Sequence, residues 1–259
     1  MAASPVLPKL VGQRVKRRED PRLIQGLGTY VDDLKIVDMQ HVAFKRSDVA
    51  HGRIRSLDTS AAEAMPGVEA VLTGAQIAEF VGPMPIGTPF PSPDHHPVAV
   101  DTVRYVGEPV AVVVATDRYV ARDAADAIVV DYEVLPAVVD VEQAMTGQPA
   151  QIHADFENNL AVALVPSGTG VSADLKTIDD SAIDKAFADA EVVVSQRMWN
   201  QRLAPTAMEP RGVVAHYEPG KDTMTIWSST QNPHILRSFI AAMNGMGQDQ
   251  VRAIAPEVG

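Results

Sequence analysis

The side chain best placed for chemistry is the amide of Gln231, in Ser228-Ser-Thr-Gln-Asn-Pro-His234. Before it, residues 223–229 alternate Met224 and Ile226 with Thr223 and Thr225, as a half-buried strand does. After it, Asn232 at an N-cap and Pro233 at a first helical position open a helix. A strand-to-helix junction lies at an edge of its sheet, where ligands commonly bind, and the partial positive charge of a helix N-terminus favours negative charge there. An amide donates to an oxygen without becoming charged itself. The residues alone leave two roles open for Gln231: a donor to a ligand, or a side chain that stabilises the turn.

Other patterns offer less. Gly26 and Gly28 lack the third glycine of a dinucleotide loop, and no Gly-Lys-Ser/Thr follows Gly168-Thr-Gly170 to make a phosphate loop. There is no Gly-x-Ser-x-Gly nucleophile elbow. Spacing leaves a Ser-His-Asp triad open, but nothing local supports one. No two histidines stand at His-x-x-x-His spacing; His95-His96 read as a solvated pair in a loop, and His41, His51, His153, His216 and His234 as single packing or surface residues. No direct protein ligand to a metal is expected. With 0 cysteines, the chain carries no disulfide, thiolate zinc site or Cys-ligated iron–sulfur cluster.

The elements that would position Gln231 follow from periodicity and punctuation. Residues 1–19 read as a polar arm. Residues 39–46 and Val68–Thr73 have strand character, and short helices are expected at 60–65, capped by Thr59 or Ser60, and at 75–80. Prolines make 82–97 a loop. The apolar run Pro109–Ala115 suits a buried strand. Asp117 then caps a helix with Val120, Ala124, Ala127 and Ile128 on one face, and 128–133 follows as a strand, together an α/β unit. The loop 147–159 is the expected boundary, giving a domain at 20–146 and a second unit at 147–259. In the second unit Ser181 and Asp184 start a helix through Ala190, and strands are expected at 191–199, 212–217 and 251–255. The helix after Asn232 buries Leu236, Phe239, Ile240 and Met243.

Composition excludes some classes. Apolar residues make up 46% and charged ones 21% of 259, a globular balance. A net charge of -11 repels phosphate backbones, so nucleic acid is not an expected partner. No apolar stretch approaches the roughly 20 residues a bilayer needs, and the first ten residues lack a secretory pattern, so a cytoplasmic protein is expected.

Five segments together resemble the large subunit of the molybdenum hydroxylases, the family of xanthine dehydrogenase, aldehyde oxidase and aerobic carbon monoxide dehydrogenase. They are Val15-Lys-Arg-Arg-Glu-Asp-Pro-Arg-Leu23 with Gly26-Leu-Gly-Thr-Tyr-Val-Asp-Asp33; Arg104-Tyr-Val-Gly-Glu-Pro109 with Asp131-Tyr-Glu-Val-Leu-Pro-Ala137; Asn200-Gln-Arg-Leu-Ala-Pro205 with Met208-Glu-Pro-Arg-Gly212; Trp227 to His234; and Val251-Arg-Ala-Ile-Ala-Pro-Glu-Val-Gly259. They occur in the family's order across nearly the whole chain. The resemblance implies an α/β (α+β) fold: an α/β hammerhead domain over 20–146, then the incomplete start of a molybdopterin-binding domain over 147–259. It implies an oxidoreductase that oxidises an aldehyde, an N-heterocycle or CO, with water as the oxygen source. In the family the glutamine matching Gln231 hydrogen-bonds an oxo ligand of molybdenum, and Gly259 matches the first glycine of a loop packed on the cofactor. Glu209 matches an acidic residue in a turn and is expected to be structural. The implied cofactor is molybdenum–molybdopterin, in its cytosine dinucleotide form, with 2Fe-2S and FAD on partner subunits.

The family's further glycines, its loop above the metal and its general-base glutamate have no counterpart in these residues. The expected partners are therefore a second polypeptide that completes the molybdopterin domain, an iron–sulfur subunit, an FAD subunit and a small-molecule substrate. The isolated chain is expected to be inactive. The competing readings are a non-catalytic scaffold or docking subunit and a truncated fragment of such an enzyme.

Overall fold

The computed structural model describes residues 11–85, 92–156, 159–161, 163–164, 171–172 and 181–259; the Gly168-Thr-Gly170 pattern lies outside them. A short helix, α1 (Asp20–Leu23), and a 3-10 turn (Val31–Asp33) precede the first sheet. The chain then forms β1 (His41–Arg46), β2 (Gly52–Asp58), α2 (Ser60–Glu63), β3 (Val68–Thr73), α3 (Gly74–Ala78), β4 (Thr102–Val103), β5 (Pro109–Ala115), α4 (Arg118–Ala127) and β6 (Val129–Val134). The helix α5 (Val141–Ala144) and the two-stranded pair β7 (Ala163–Leu164) and β8 (Val171–Ser172) follow, with α6 (Ser181–Ala188) after them. The last unit is β9 (Val213–Glu218), β10 (Thr223–Ser228), α7 (Pro233–Met243) and β11 (Val251–Ile254).

Burial explains the first two sheets. The apolar run β5 is the centre of an antiparallel sheet ordered β1-β5-β3. Helix α4 lies on it through Ala124 and Ala125, small residues that let the helix approach Ala111 and Val113 closely, with Ile128 just past its end in the same core. Asp117 caps α4 as expected, accepting from the Tyr119 and Val120 amides at 2.7 and 3.3 Å. A second antiparallel sheet is ordered β4-β2-β6. Leu57 and Val130 pack against both clusters, so the two sheets share one core.

Two expectations need correction. The strand–helix–strand run through α4 is not a unit within one sheet: β5 already has antiparallel neighbours on both edges, so β6 pairs with β2 in the other sheet. The strand expected at 191–199 is absent; 192–212 has no regular secondary structure. A strand needs a neighbour to accept its backbone hydrogen bonds, and among the described residues none pairs with this segment.

At the start of α3, a Cβ on Gly74 would stand 1.9 Å from the Ala99 carbonyl oxygen and 2.6 Å from its carbon. Ala99 is itself fixed to β5 by its amide bond to the Pro109 carbonyl, at 2.8 Å. Neither backbone can yield cheaply, so Gly74→Ala is expected to cost about 1–3 kcal/mol, as overpacked interiors do. Chemical denaturation measures this, and an unchanged midpoint would show that the chain relaxes there.

Candidate functional site

Strands β10 and β11 are parallel neighbours, Trp227 opposite Ile254, joined by α7. Strand β9 runs antiparallel on the other side of β10, Val213 opposite Ser228. Three segments therefore reach the same edge of this sheet: 208–212 before β9, 228–232 after β10 and 255–259 after β11. The core beneath is Ile226, Ala241 and Val251, with Leu236 and Ile240 of α7 packed on it. Two members of the expected apolar face are thus in place, and Ala241 is its buried centre.

At this edge the turn after β10 is held without Gln231. Ser229 Oγ accepts from the Gly212 amide at 2.9 Å, and the Ser229 amide donates to the Gly212 carbonyl at 3.2 Å. The Thr230 hydroxyl accepts from the Asn232 amide at 3.1 Å. Asn232 occupies the N-cap but its side chain makes no capping bond, and Pro233 takes the first turn as expected. The Gln231 side chain is exposed and has no hydrogen-bond partner among the described residues. At the head of α7 the His234 and Ile235 amides have no acceptor within the helix.

The segment 255–259 is fixed from two directions. The Glu257 amide donates to the Thr29 carbonyl at 3.1 Å, the Thr29 amide donates to Glu257 Oε2 at 2.6 Å, and the Arg22 guanidinium pairs with the same carboxylate. At its end, the Gly259 amide donates to Glu209 Oε2 at 2.7 Å. A Cβ on Gly259 would stand 2.7 Å from Glu209 Cβ, so the close approach requires glycine. The stretch after α1 thus belongs to the site edge: beside Thr29, Val31 is buried against Gly212, and Asp32 pairs with Arg118 of α4 at 2.9 Å. Glu257 and Glu209 were not singled out as contacts from sequence, because each partner is distant along the chain.

The Thr29 amide, and then the Arg22 guanidinium, hold the Glu257 carboxyl below its usual range. A carboxyl lowered in the folded state contributes stability above its unfolded value, near 4.3, and loses it as pH falls through the lower folded value. The Thr29 amide is therefore expected to keep its exchange protection to a pH below the ordinary glutamate midpoint. Amide exchange followed by NMR during acid titration checks this; loss of protection at or above about pH 4.3 would contradict it.

Of the other candidates, His234 lies at this edge in the first turn of α7, while His51, His95, His96 and His153 stand in the first domain and the loop after it. His51 is buried, with Nδ1 2.8 Å from the Pro136 carbonyl. His95 and His96 are not a solvated pair: both are half-buried, His95 stacked on Tyr105 with ring centroids 6.2 Å apart. Burial, the Arg104 charge and neighbouring histidines hold His153 below its ordinary value, with Asp155 opposing. In Arg104-Tyr-Val-Gly-Glu108, the buried Glu108 carboxylate accepts from the Arg104 amide at 2.5 Å and closes the turn. Among the described residues no group of three or more His, Cys, Asp or Glu side chains could hold a metal, and no helix is long and apolar enough to cross a membrane.

This arrangement agrees with two family models, the "Aldehyde oxidase and xanthine dehydrogenase, a/b hammerhead domain" over residues 25–136 and the "Molybdopterin cofactor-binding domain" over 166–259. The chain belongs to the molybdenum hydroxylase family and corresponds to the N-terminal part of its large, molybdopterin-binding subunit, on the expected mixed α/β fold. It is 36% identical to the carbon monoxide dehydrogenase large chain of Hydrogenophaga pseudoflava over 96% of this chain and 31% of that one. It is 35% identical to the nicotine 6-hydroxylase large subunit of Paenarthrobacter nicotinovorans over 98% of this chain and 30% of that one. Against the nicotinate dehydrogenase large molybdopterin subunit of Eubacterium barkeri the identity is 30%, over 97% of this chain and 54% of that one. Quinoline 2-oxidoreductase from Pseudomonas putida 86 superposes with a TM-score of 0.79 at 35% identity, over 96% of this chain and 30% of that one. The chain thus spans about a third of the length of most of these relatives, and about half of the shortest.

Proposed function

We propose that this chain is part of the catalytic subunit of a molybdenum-dependent hydroxylase or dehydrogenase acting on an aldehyde, an N-heterocycle or CO. The observation that carries this is the Gln231 amide, without a hydrogen-bond partner among the described residues, at the edge where Gly259 and the head of α7 also lie, inside the stretch matched to a molybdopterin-binding domain. The edge fits such a group: Gln231 offers a neutral donor, the His234 and Ile235 amides face anionic atoms favourably, and Gly259 leaves bare backbone. When bound, molybdenum–molybdopterin supplies Lewis acidity and a two-electron acceptor, with water as the oxygen source. The residues of this chain bind and orient: Gln231 donates to an oxygen of the group, and the 255–259 backbone forms one wall against it. The cytosine dinucleotide form of the cofactor, and a cytoplasmic location, go with this reading.

The remaining machinery belongs to partners in this proposal. A second polypeptide completes the molybdopterin domain; that one relative's molybdopterin subunit is much shorter than the others supports a divided large subunit. Without cysteine, these residues ligate no iron–sulfur cluster, and the proposal places 2Fe-2S, together with FAD, on separate subunits. Isolation from the native host tests the proposal, with co-purifying polypeptides and molybdenum per complex as readouts. A larger Gly-rich partner, a Cys-rich partner and stoichiometric molybdenum are expected. A chain that arrives alone and metal-free would overturn the catalytic role and favour a scaffold.

A further inference from the structure

We infer that Glu209 is a positioning residue, whose carboxylate sets the 255–259 backbone against the cofactor; this rests on the function proposed above. Among the described residues no near neighbour along the chain bonds its carboxylate as a turn stabiliser would require. Instead Glu209 Oε2 reaches 50 positions along the chain to the Gly259 amide, at 2.7 Å. A second constraint acts on the same residue, since Gly259 packs so closely on Glu209 Cβ that no side chain fits there. The loop bearing Glu209 is in turn fastened to the loop bearing Gln231. Ser229 Oγ takes the Gly212 amide at 2.9 Å and lies 3.4 Å from the Pro210 carbonyl, while Gln231 follows two residues later. Gln231 and the Gly259 backbone are therefore held in register by one frame, 208–212 to 228–232 through Ser229 and 208–212 to 255–259 through Glu209. The Glu257 bonds to Thr29 and Arg22 secure the other end of the last segment.

A hydrogen bond to an ionised acceptor is stronger than a neutral one, and here it fixes backbone that a cofactor would touch. Removing it frees the wall while leaving the sheet core of Ile226, Ala241 and Val251 untouched. The test compares wild type, Glu209→Ala and Glu209→Gln in the assembled complex. Three readouts are taken: deuterium exchange of the 255–259 peptide, the rate of pterin and molybdenum release, and the melting temperature. Glu209→Ala is expected to speed exchange and to release the group about tenfold faster. Glu209→Gln, whose neutral amide oxygen still accepts but more weakly, is expected to fall between wild type and Glu209→Ala, and all three proteins to melt together. Release at the wild-type rate from Glu209→Ala would overturn the positioning role while leaving the proposed function standing, as would equal losses in the Ala and Gln variants. A wild-type complex devoid of pterin and molybdenum would overturn both.

Discussion

Replacing Gln231 by Ala in the assembled complex is expected to lower turnover about 100-fold, the usual cost of removing one preorganised donor. The cost falls on the bound state alone. In the chain itself the Gln231 amide has no partner among the described residues, and the turn it occupies is held by Ser229 and Thr230. Truncation therefore orphans no buried group and leaves folding stability nearly unchanged. Gln231→Glu separates donation from size: the carboxylate keeps the volume of the amide but, when ionised, only accepts. Both variants are expected to lose turnover alike and to hold the pterin more weakly than wild type, Gln231→Glu more so because it adds negative charge. Steady-state kinetics resolves the origin, since a loss in kcat with KM unchanged marks an interaction made in the transition state. Turnover within about twofold of wild type in Gln231→Ala would return Gln231 to a turn residue with no part in the chemistry.

How much of this was legible in the sequence depends on how locally each feature is determined. Strand β5 was legible because a continuous apolar run can only be buried, and the cap of α4 because Asp117 bonds to amides two and three positions away. The position of Gln231 was legible for the same reason: alternation in β10 and Asn232-Pro233 define a junction from residues within one short window. Strand β2 was not, since its two apolar positions, Ile54 and Leu57, stand three apart across a shift in register and so break the alternation that marks a strand; its identity comes from pairing with β6. The clasp at the site edge was hidden for another reason. Thr29 and Glu257 lie 228 positions apart, and no periodicity reports such a contact. The segment 191–199 shows the opposite case, in which strand-like residues have no strand to pair with among the described residues.

That segment carries the second large expected effect. Val192, Val194 and Trp199 are 76%, 84% and 64% exposed, with Met198 and Leu203 also open to solvent. Apolar residues so placed mark a surface that a partner covers, and Val192 and Val194 would share one face if the segment became a strand. In the proposed complex the polypeptide completing the molybdopterin domain pairs with it. A Val192→Asp, Val194→Asp double variant then buries two unpaired carboxylates on assembly. Each costs about 3 kcal/mol or more, so binding is expected to weaken by about 100-fold for one and by about 10,000-fold for the two together. The free chain should fold as before, because neither side chain packs into any of its cores. Trp199 provides the readout. With Trp227, the other of the chain's 2 tryptophans, changed to Phe, its emission should shift to shorter wavelength on titration with the completing polypeptide. The double variant should show no shift over the same range. If the variant assembles with wild-type affinity, the partner docks elsewhere; the outer edges of β9 and β11, unpaired among the described residues, are then the surfaces to test.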